Sequence, residues 1–258
     1  MTVYFLIAIC ATTVGALTGM GGGVIIKPAL DLLGGYNAAT IGVLSSITVF
    51  AMSIVSIAKQ LRQKTPVPGA IALPLAIGSV IGGTVGERIL KALITLLGDN
   101  HAVVVTQNIC LSILIGVVFL YMLHKNNLPT LQVSGLLPSS LVGVLLGFFS
   151  SFLGIGGGPI NVALLIFLFS LSTKTATVCS IITILFAQIS KLATVLLTTG
   201  FAPFDLSMLP VMVAGAVAGG WLGARLNKQL SEKTVERAFN AVQLLVLAAC
   251  LCNIVRNL

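Results

Sequence analysis

The chain contains two matching glycine clusters, Gly19-Met20-Gly21-Gly22-Gly23 and Gly154-Ile155-Gly156-Gly157-Gly158. Each lies in the middle of a long apolar region, 3–33 or 135–171. Consecutive glycines break a helix, because each costs about 1 kcal/mol relative to alanine. In lipid, the freed N–H and C=O groups are tolerated only where protein or a water-filled cavity satisfies them. The clusters therefore predict two broken helices whose unwound backbone faces a site rather than the bilayer.

The composition places these regions in a membrane. Hydrophobic residues make up 57% of the 258 residues and charged residues only 8%, whereas a soluble domain carries about 25% charged residues. A soluble enzyme, a disordered tail and a secreted disulfide scaffold are therefore excluded. The net charge of +8 comes from residues between the apolar runs, without interleaved aromatics. This pattern is typical of membrane loops and argues against a nucleic-acid partner.

Six further apolar segments are long enough to cross a bilayer. They are residues 38–58, 67–86, 104–123, 175–199, 207–226 and 236–255. With the two broken regions they predict an all-α polytopic membrane protein, and no loop is long enough for a soluble domain. The five cysteines lie inside apolar stretches and contain no CxxC pair, which predicts small buried hydrophobic residues.

The sequence indicates a tandem duplication, with halves at 1–128 and 129–258. The two glycine clusters are 135 residues apart, and Ser45 and Ser180 match at the same spacing. A second glycine series repeats at a spacing of 137 residues: Gly78, Gly82 and Gly86 match Gly215, Gly219 and Gly223. Such small-xxx-small faces favour close helix packing. Each half is predicted to hold one glycine-broken segment, re-entrant or built of half-helices, plus three transmembrane helices.

The loop charges predict how the halves are oriented. If each broken region crossed once, Lys and Arg would divide five against seven between the two sides. If each returned to the side it entered, they would divide nine against three. The positive-inside rule favours the second arrangement. It places both termini outside and makes the halves inverted repeats, an architecture found in secondary transporters.

Two features predict an anion site. The half-helices that start after the glycines, near Val24 and Pro159, direct the positive ends of their dipoles inward, where they favour anions. Lys191 lies deep inside 175–199, on one helical face with Ser180 and Thr183. An intramembrane lysine costs about 3 kcal/mol unless it faces a cavity or a partner. It is interpreted as a cation facing an anionic substrate, the alternatives being snorkelling or pairing with a carbonyl from the broken region.

The other polar residues in the spans have simpler interpretations. Lys27 and Asp31 are four residues apart and predict an ion pair within one helix. Asn161 either caps backbone or contacts substrate. No pair of carboxylates for a proton relay occurs within the spans, and Asp31 and Glu87 are the acidic candidates near them. Neither histidine belongs to a group with metal-ligand spacing, and no protease motif occurs, so catalysis, a metal and a cofactor are not predicted.

The chain resembles the TauE/SafE family of sulfite exporters. The resemblance is carried by the first glycine cluster followed by Pro28, by Ser151-Phe152-Leu153-Gly154-Ile155-Gly156-Gly157-Gly158-Pro159, and by Gly-Gly-x-x-Gly-x-Arg at 82–88 and 219–225. It implies a bacterial inner-membrane carrier that exports small sulfur-containing anions such as sulfite or sulfoacetate, with protons as a candidate coupling ion. The glycine clusters would frame the site.

The favoured hypothesis is a secondary anion transporter that works by alternating access. An anion channel, or a membrane scaffold subunit without a pathway, is the alternative. The expected substrate-binding residues are Gly21, Gly22, Gly23, Ser45, Ser46, Gly156, Gly157, Gly158, Asn161, Ser180, Gln188 and Lys191. The sequence does not predict an oligomeric state.

Overall fold

The computed structural model describes residues 1–63, 67–155 and 157–257, apart from the side chains of Asn100 and Asn126. This part of the chain is helical and contains no strand. Its α-helices are α1 (Thr2–Thr18), α2 (Gly23–Leu33), α3 (Ala38–Arg62), α4 (Gly69–Leu97), α5 (Asn100–His124), α6 (Leu136–Phe152), α7 (Pro159–Phe169), α8 (Thr173–Thr198), α9 (Leu209–Gln229) and α10 (Glu232–Asn257). A 3₁₀ turn, Lys125–Asn127, follows α5.

The six predicted spans correspond to α3, α4, α5, α8, α9 and α10, each long and apolar enough to cross a membrane. The largest difference concerns α4, which was expected to end near Arg88 but continues to Leu97. Its end is set by Gly98, which adopts a left-handed conformation and whose N–H bonds to Ile94. Arg88 is therefore an exposed residue within the helix.

Both glycine-broken regions fold back as hairpins. The rings of Tyr4, at the start of α1, and Tyr36, after α2, lie 6.1 Å apart. In the second half, the N–H of Leu131 donates to the carbonyl of Phe167 (3.0 Å), and that of Val133 donates to the carbonyl of Leu168 (2.7 Å). Each region therefore enters and leaves at the same end of the bundle. We call residues 19–23 the first tip and 154–158 the second tip.

The small-residue faces are packing surfaces, as predicted. A Cβ added to Gly78 or Gly82 would lie about 2 Å from a backbone oxygen of α6, on Ser140 or Val144. Gly219 and Gly223 approach α1 in the same way. These close contacts join α4 of the first half to α6 of the second, and α9 of the second half to α1 of the first.

Packing between the halves is reciprocal. The pair α3–α9 corresponds to α8–α4, and α2–α10 corresponds to α7–α5. Helices α5 and α10, which correspond to each other in the predicted duplication, run antiparallel, because His101 bonds to Asn257 (2.8 Å) while Lys125, at the other end of α5, pairs with Glu236. We call the end of the bundle with Tyr4, His101 and Asn257 the terminus end, and the end with Lys125 and Glu236 the opposite end.

The expectation for the cysteines was only partly right. All five are free. Cys179 and Cys250 are buried and Cys110 is half-buried, but Cys10 and Cys252 lie on the outer surface of the bundle. Cysteine suits both the protein core and an outer face that meets lipid, because it is small and apolar. The hydrophobicity of the surrounding sequence therefore did not predict which cysteines are buried.

Candidate functional site

The two tips place helix N-termini inside the bundle. Helix α2 begins at Gly23 and α7 begins at Pro159, next to the positions predicted from the sequence. Pro159 is the first residue of α7, where its missing N–H does no harm. The first turn of each helix leaves N–H groups without an intrahelical partner. Both positive helix ends therefore lie at the tips, although their ligands are not defined by this alone.

The glycines of the tips are closely packed. A Cβ on Gly23 would lie 1.8 Å from the carbonyl oxygen of Ile155, and one on Gly157 would lie 2.3 Å from Cγ1 of Ile184. A Cβ on Gly22 would meet Thr12 at 2.8 Å. On the side where a side chain would project, these glycines thus contact protein rather than an open cavity. Gly156, also predicted in the site, lies outside the described residues.

The predicted serines behave differently from one another. The hydroxyl of Ser180 donates to the carbonyl of Gly19 at 2.6 Å, so it fixes the first tip against α8 of the other half. The hydroxyl of Ser46 donates to the carbonyl of Gly42 in its own helix. Ser45 is fully buried beside Gly23, and its Oγ has no hydrogen-bond partner. Of the three, Ser45 is the hydroxyl that a ligand could bind directly.

Near the second tip, two buried amides have polar atoms without a partner. Asn161 is 1% exposed, and neither its Nδ2 nor its Oδ1 makes a hydrogen bond, so the interpretation of Asn161 as a cap is wrong. The Nε2 of Gln188 donates to Ser150 Oγ at 3.3 Å, while its Oε1 has no partner. Buried polar groups are normally hydrogen-bonded to protein or water. Such groups near the second tip indicate a site for water or a polar ligand.

Lys191 is fully buried and only weakly paired. Its Nζ lies 3.6 Å from Oε2 of Glu87 on α4 and 3.5 Å from the carbonyl oxygen of Gly42 on α3. An ammonium group has three donors and prefers distances nearer 2.8 Å. Both contacts join the second half to the first. Lys191 is thus a cation between the halves, without a tight counter-ion among the residues described.

Lys27 forms a contrasting, tight ion pair. Its Nζ lies 2.8 Å from Oδ2 of Asp31, and the Nδ2 of Asn108 on α5 donates to the same oxygen at 3.3 Å. The Nδ2 of Asn253 on α10 donates to the carbonyl of Pro28 at 3.1 Å. The predicted pair is confirmed, and these contacts hold α2 between α5 and α10.

The two lysines border the second tip. A Cβ on Gly154 would lie 3.6 Å from Cε of Lys27 and 3.7 Å from Cα of Gly42, and a Cβ on Gly42 would lie 3.6 Å from Nζ of Lys191. Glu87 and Gly42 were not among the predicted site residues. The sequence offers one signal for Glu87, which is a rare acidic residue next to a span, but its partner Lys191 is 104 positions away. It offers no signal for Gly42, which contributes only a backbone carbonyl.

The described cavities are not anion sites. One of about 640 Å³ is lined by apolar residues of α5, α6 and α7, including Tyr121, Phe149 and Phe167. Another of about 220 Å³ lies at the terminus end, beside Asn37 and Asp99. The first has no charged group and the second has a carboxylate, so neither favours an anion. Among the described residues, no group of His, Cys, Asp and Glu could hold a metal.

Comparisons with known proteins agree with a transporter. The family model described as "Sulfite exporter TauE/SafE" matches residues 4–250. "Probable membrane transporter protein YunE" of Bacillus subtilis is 26% identical, over 93% of both chains. "Probable membrane transporter protein MamO" of Paramagnetospirillum magneticum is 27% identical over 92% of this chain, which spans 42% of that relative's length. No solved structure matches.

Proposed function

Because the chain belongs to the TauE/SafE family of sulfite exporters, we propose that it carries small sulfur-containing anions, such as sulfite or sulfoacetate, out of a bacterial cell across the inner membrane. Its relatives are named as membrane transporters, in agreement with a protein that is not an enzyme. The mechanism is that of a secondary transporter. A negative cell interior favours export by about 2.3 kcal/mol per 100 mV for each net negative charge that the carrier moves.

The observation that carries this proposal is Lys191. A buried ammonium with two contacts of 3.5 and 3.6 Å retains donors for a ligand. It lies between the halves, next to Gly42 and close to the second tip. The hydroxyl of Ser45 and the Nδ2 of Asn161 are buried donors without a partner, whereas the unpartnered Oε1 of Gln188 is an acceptor and is not counted among them. A small oxyanion needs such an arrangement of one cation and several neutral donors.

The two halves are inverted in this proposal. A hairpin that returns to its own side, followed by three crossing helices, makes an odd number of crossings, so the second half starts on the opposite side of the membrane. The antiparallel contact of α5 with α10 supports this arrangement. By the positive-inside rule the opposite end, with Lys125, lies in the cytoplasm, and the terminus end lies outside.

A thermal-shift experiment on the purified protein tests the anion site. Sulfite, sulfoacetate and thiosulfate are added separately, with chloride at equal ionic strength as the reference. A ligand that binds only the folded state raises the melting temperature. At least one sulfur anion should raise it, and the shift should disappear in Lys191→Ala but persist in Lys233→Ala, whose lysine is exposed. Equal shifts in both variants would remove Lys191 from the site.

A transport assay separates a carrier from a channel. Proteoliposomes should take up the anion identified by thermal shift slowly and with saturation, because each cycle needs a conformational change. Single-channel currents carried by that anion would contradict the proposed carrier mechanism.

A further inference from the structure

The ion pair between Lys191 and Glu87 is loose, and the anion site alone does not explain why. Glu87 is 5% exposed, and its Oε2 makes no hydrogen bond. Its carboxylate stands 3.6 Å from Nζ of Lys191, beyond hydrogen-bond distance. The Lys27–Asp31 pair, at 2.8 Å and with an additional donor from Asn108, shows how a structural pair in this bundle is satisfied. The Lys191–Glu87 pair is looser and therefore easier to separate.

Charge balance determines what happens when an anion binds beside Lys191. With Glu87 ionised, the pair is neutral, and a bound anion would leave uncompensated negative charge in a buried site. Buried charge without compensation is strongly unfavourable. If Glu87 takes up a proton, its carboxylate becomes a neutral carboxylic acid, and Lys191 can then pair with the anion. One proton is bound for each anion charge that replaces the carboxylate.

Polar side chains follow Lys191 along α8 towards the terminus end. Thr194 and Thr198 lie three and seven residues after Lys191, so they share its face of α8. The Nζ of Lys91 on α4 donates to Thr198 and, at 2.7 Å, to Thr199. Lys91 is half-buried and the two threonines lie at the end of the helix. The helix face between the pair and this end of the bundle therefore carries hydroxyl groups.

The surroundings of Glu87 contain few other charges. Lys191 is the charged group that faces it from α8, and Lys27 and Lys91 lie close enough to interact electrostatically with Lys191. On α6, Phe148 and Phe152 lie next to Gly86, and the Nε2 of Gln107 on α5 donates to the carbonyl of Phe152 at 2.8 Å. Val103 and Val104 of α5 pack near Ile94. No second carboxylate among the described residues contacts this pair, so Glu87 is the carboxylate available to take up a proton there.

We propose that Glu87 is the proton-binding residue that couples anion binding at Lys191 to proton uptake. This inference rests on the proposed anion site and adds the coupling ion to it. Linkage makes the coupling reciprocal: if the anion favours protonated Glu87, protons favour the bound anion. Anion affinity therefore rises as the pH falls. Coupling between two sites typically changes affinity by about 5- to 150-fold.

The test measures the affinity of the full chain for thiosulfate, which keeps its charge across the neutral and mildly acidic range. In wild type, the affinity should increase by about 5- to 150-fold on acidification. Glu87→Gln imitates the protonated acid and should bind thiosulfate with an affinity independent of pH. Asp31→Asn is the matched control, since it also changes a buried acid beside a lysine. It should melt at a lower temperature but keep the pH dependence.

The outcomes separate this inference from the proposed function. A Glu87→Gln protein that keeps the wild-type pH dependence would overturn the role of Glu87 and leave the anion site intact. A wild-type protein that responds to no sulfur anion would overturn both. If Glu87→Gln does not fold, wild-type proteoliposomes that contain a pH-sensitive dye provide the test. A thiosulfate gradient should move protons across the membrane in the same direction as thiosulfate. Thiosulfate flux without proton movement would refute the coupling.

Discussion

Position 23, where the two tips meet, has room only for glycine. A Cβ at this position would lie 1.8 Å from the carbonyl oxygen of Ile155, a backbone atom that cannot rotate away. We expect Gly23→Ala to lower the free energy of unfolding by about 1–3 kcal/mol, the usual cost of overpacking. Gly116→Ala is the control: it lies within α5 with open space around it, and should be stabilising by about 1 kcal/mol. Chemical denaturation in detergent measures both.

Gly42 allows the ligand site to be altered without disturbing the packing. Its added Cβ would lie 3.6 Å from Nζ of Lys191, an ordinary contact, and alanine suits the interior of α3 better than glycine. Gly42→Ala should therefore keep or raise the melting temperature but weaken sulfite uptake by proteoliposomes, because a methyl group would cover the ammonium. Wild-type uptake in this variant would show that the anion does not approach Lys191 from Gly42.

Individual residues also show what sequence can and cannot predict. The glycine clusters located both helix breaks, because backbone entropy is a local property. The Lys27–Asp31 pair was predictable, because a four-residue spacing brings two side chains together on a helix. The partners of Lys191 were not, because Glu87 and Gly42 reach it through the packing of three separate helices. Ser180 was assigned to substrate by its polarity alone, whereas its hydroxyl donates to the backbone of the first tip.

At the scale of elements, α2 is a short helix held in the bundle by its polar contacts. The Lys27–Asp31 pair and Asn108 tie it to α5. Removing one member of a buried pair leaves an uncompensated charge, so Asp31→Ala should lower the free energy of unfolding by about 3–5 kcal/mol. Replacing both, in Lys27→Met with Asp31→Leu, should recover most of this loss, because hydrophobic residues often replace a buried pair without cost.

Denaturation of the single and double variants measures this effect. A double variant as unstable as Asp31→Ala would indicate that the carboxylate acts mainly through Asn108 rather than through Lys27.

The distribution of loop charges was the feature of the sequence that favoured hairpins over single crossings. Their closure depends on contacts such as Tyr4 with Tyr36, two residues that no periodic pattern connects.

At the scale of the whole molecule, the packing units do not coincide with the sequence halves. Helix α4 packs on α6 and α8 of the second half, and α9 packs on α1 and α3 of the first. Two units result, α1–α3–α9 and α6–α8–α4, each built from both halves. The sequence predicts a repeat but not this exchange, because matching residues indicate which segments correspond and not which of them touch.

Alternating access then requires the two units to move relative to each other, and engineered disulfides in a background without native cysteines test this. Thr84 and Ser190, whose Oγ atoms are 2.8 Å apart, lie within one unit. Thr18 and Thr177, joined by a hydrogen bond of 3.2 Å from Oγ1 to a carbonyl, lie in different units. The disulfide formed by combining Thr84→Cys with Ser190→Cys should spare sulfite transport. The one formed by combining Thr18→Cys with Thr177→Cys should block transport until it is reduced, because it fixes α1 to α8. Inhibition by both disulfides would show that the sequence halves move instead, because both pairs join the first half to the second.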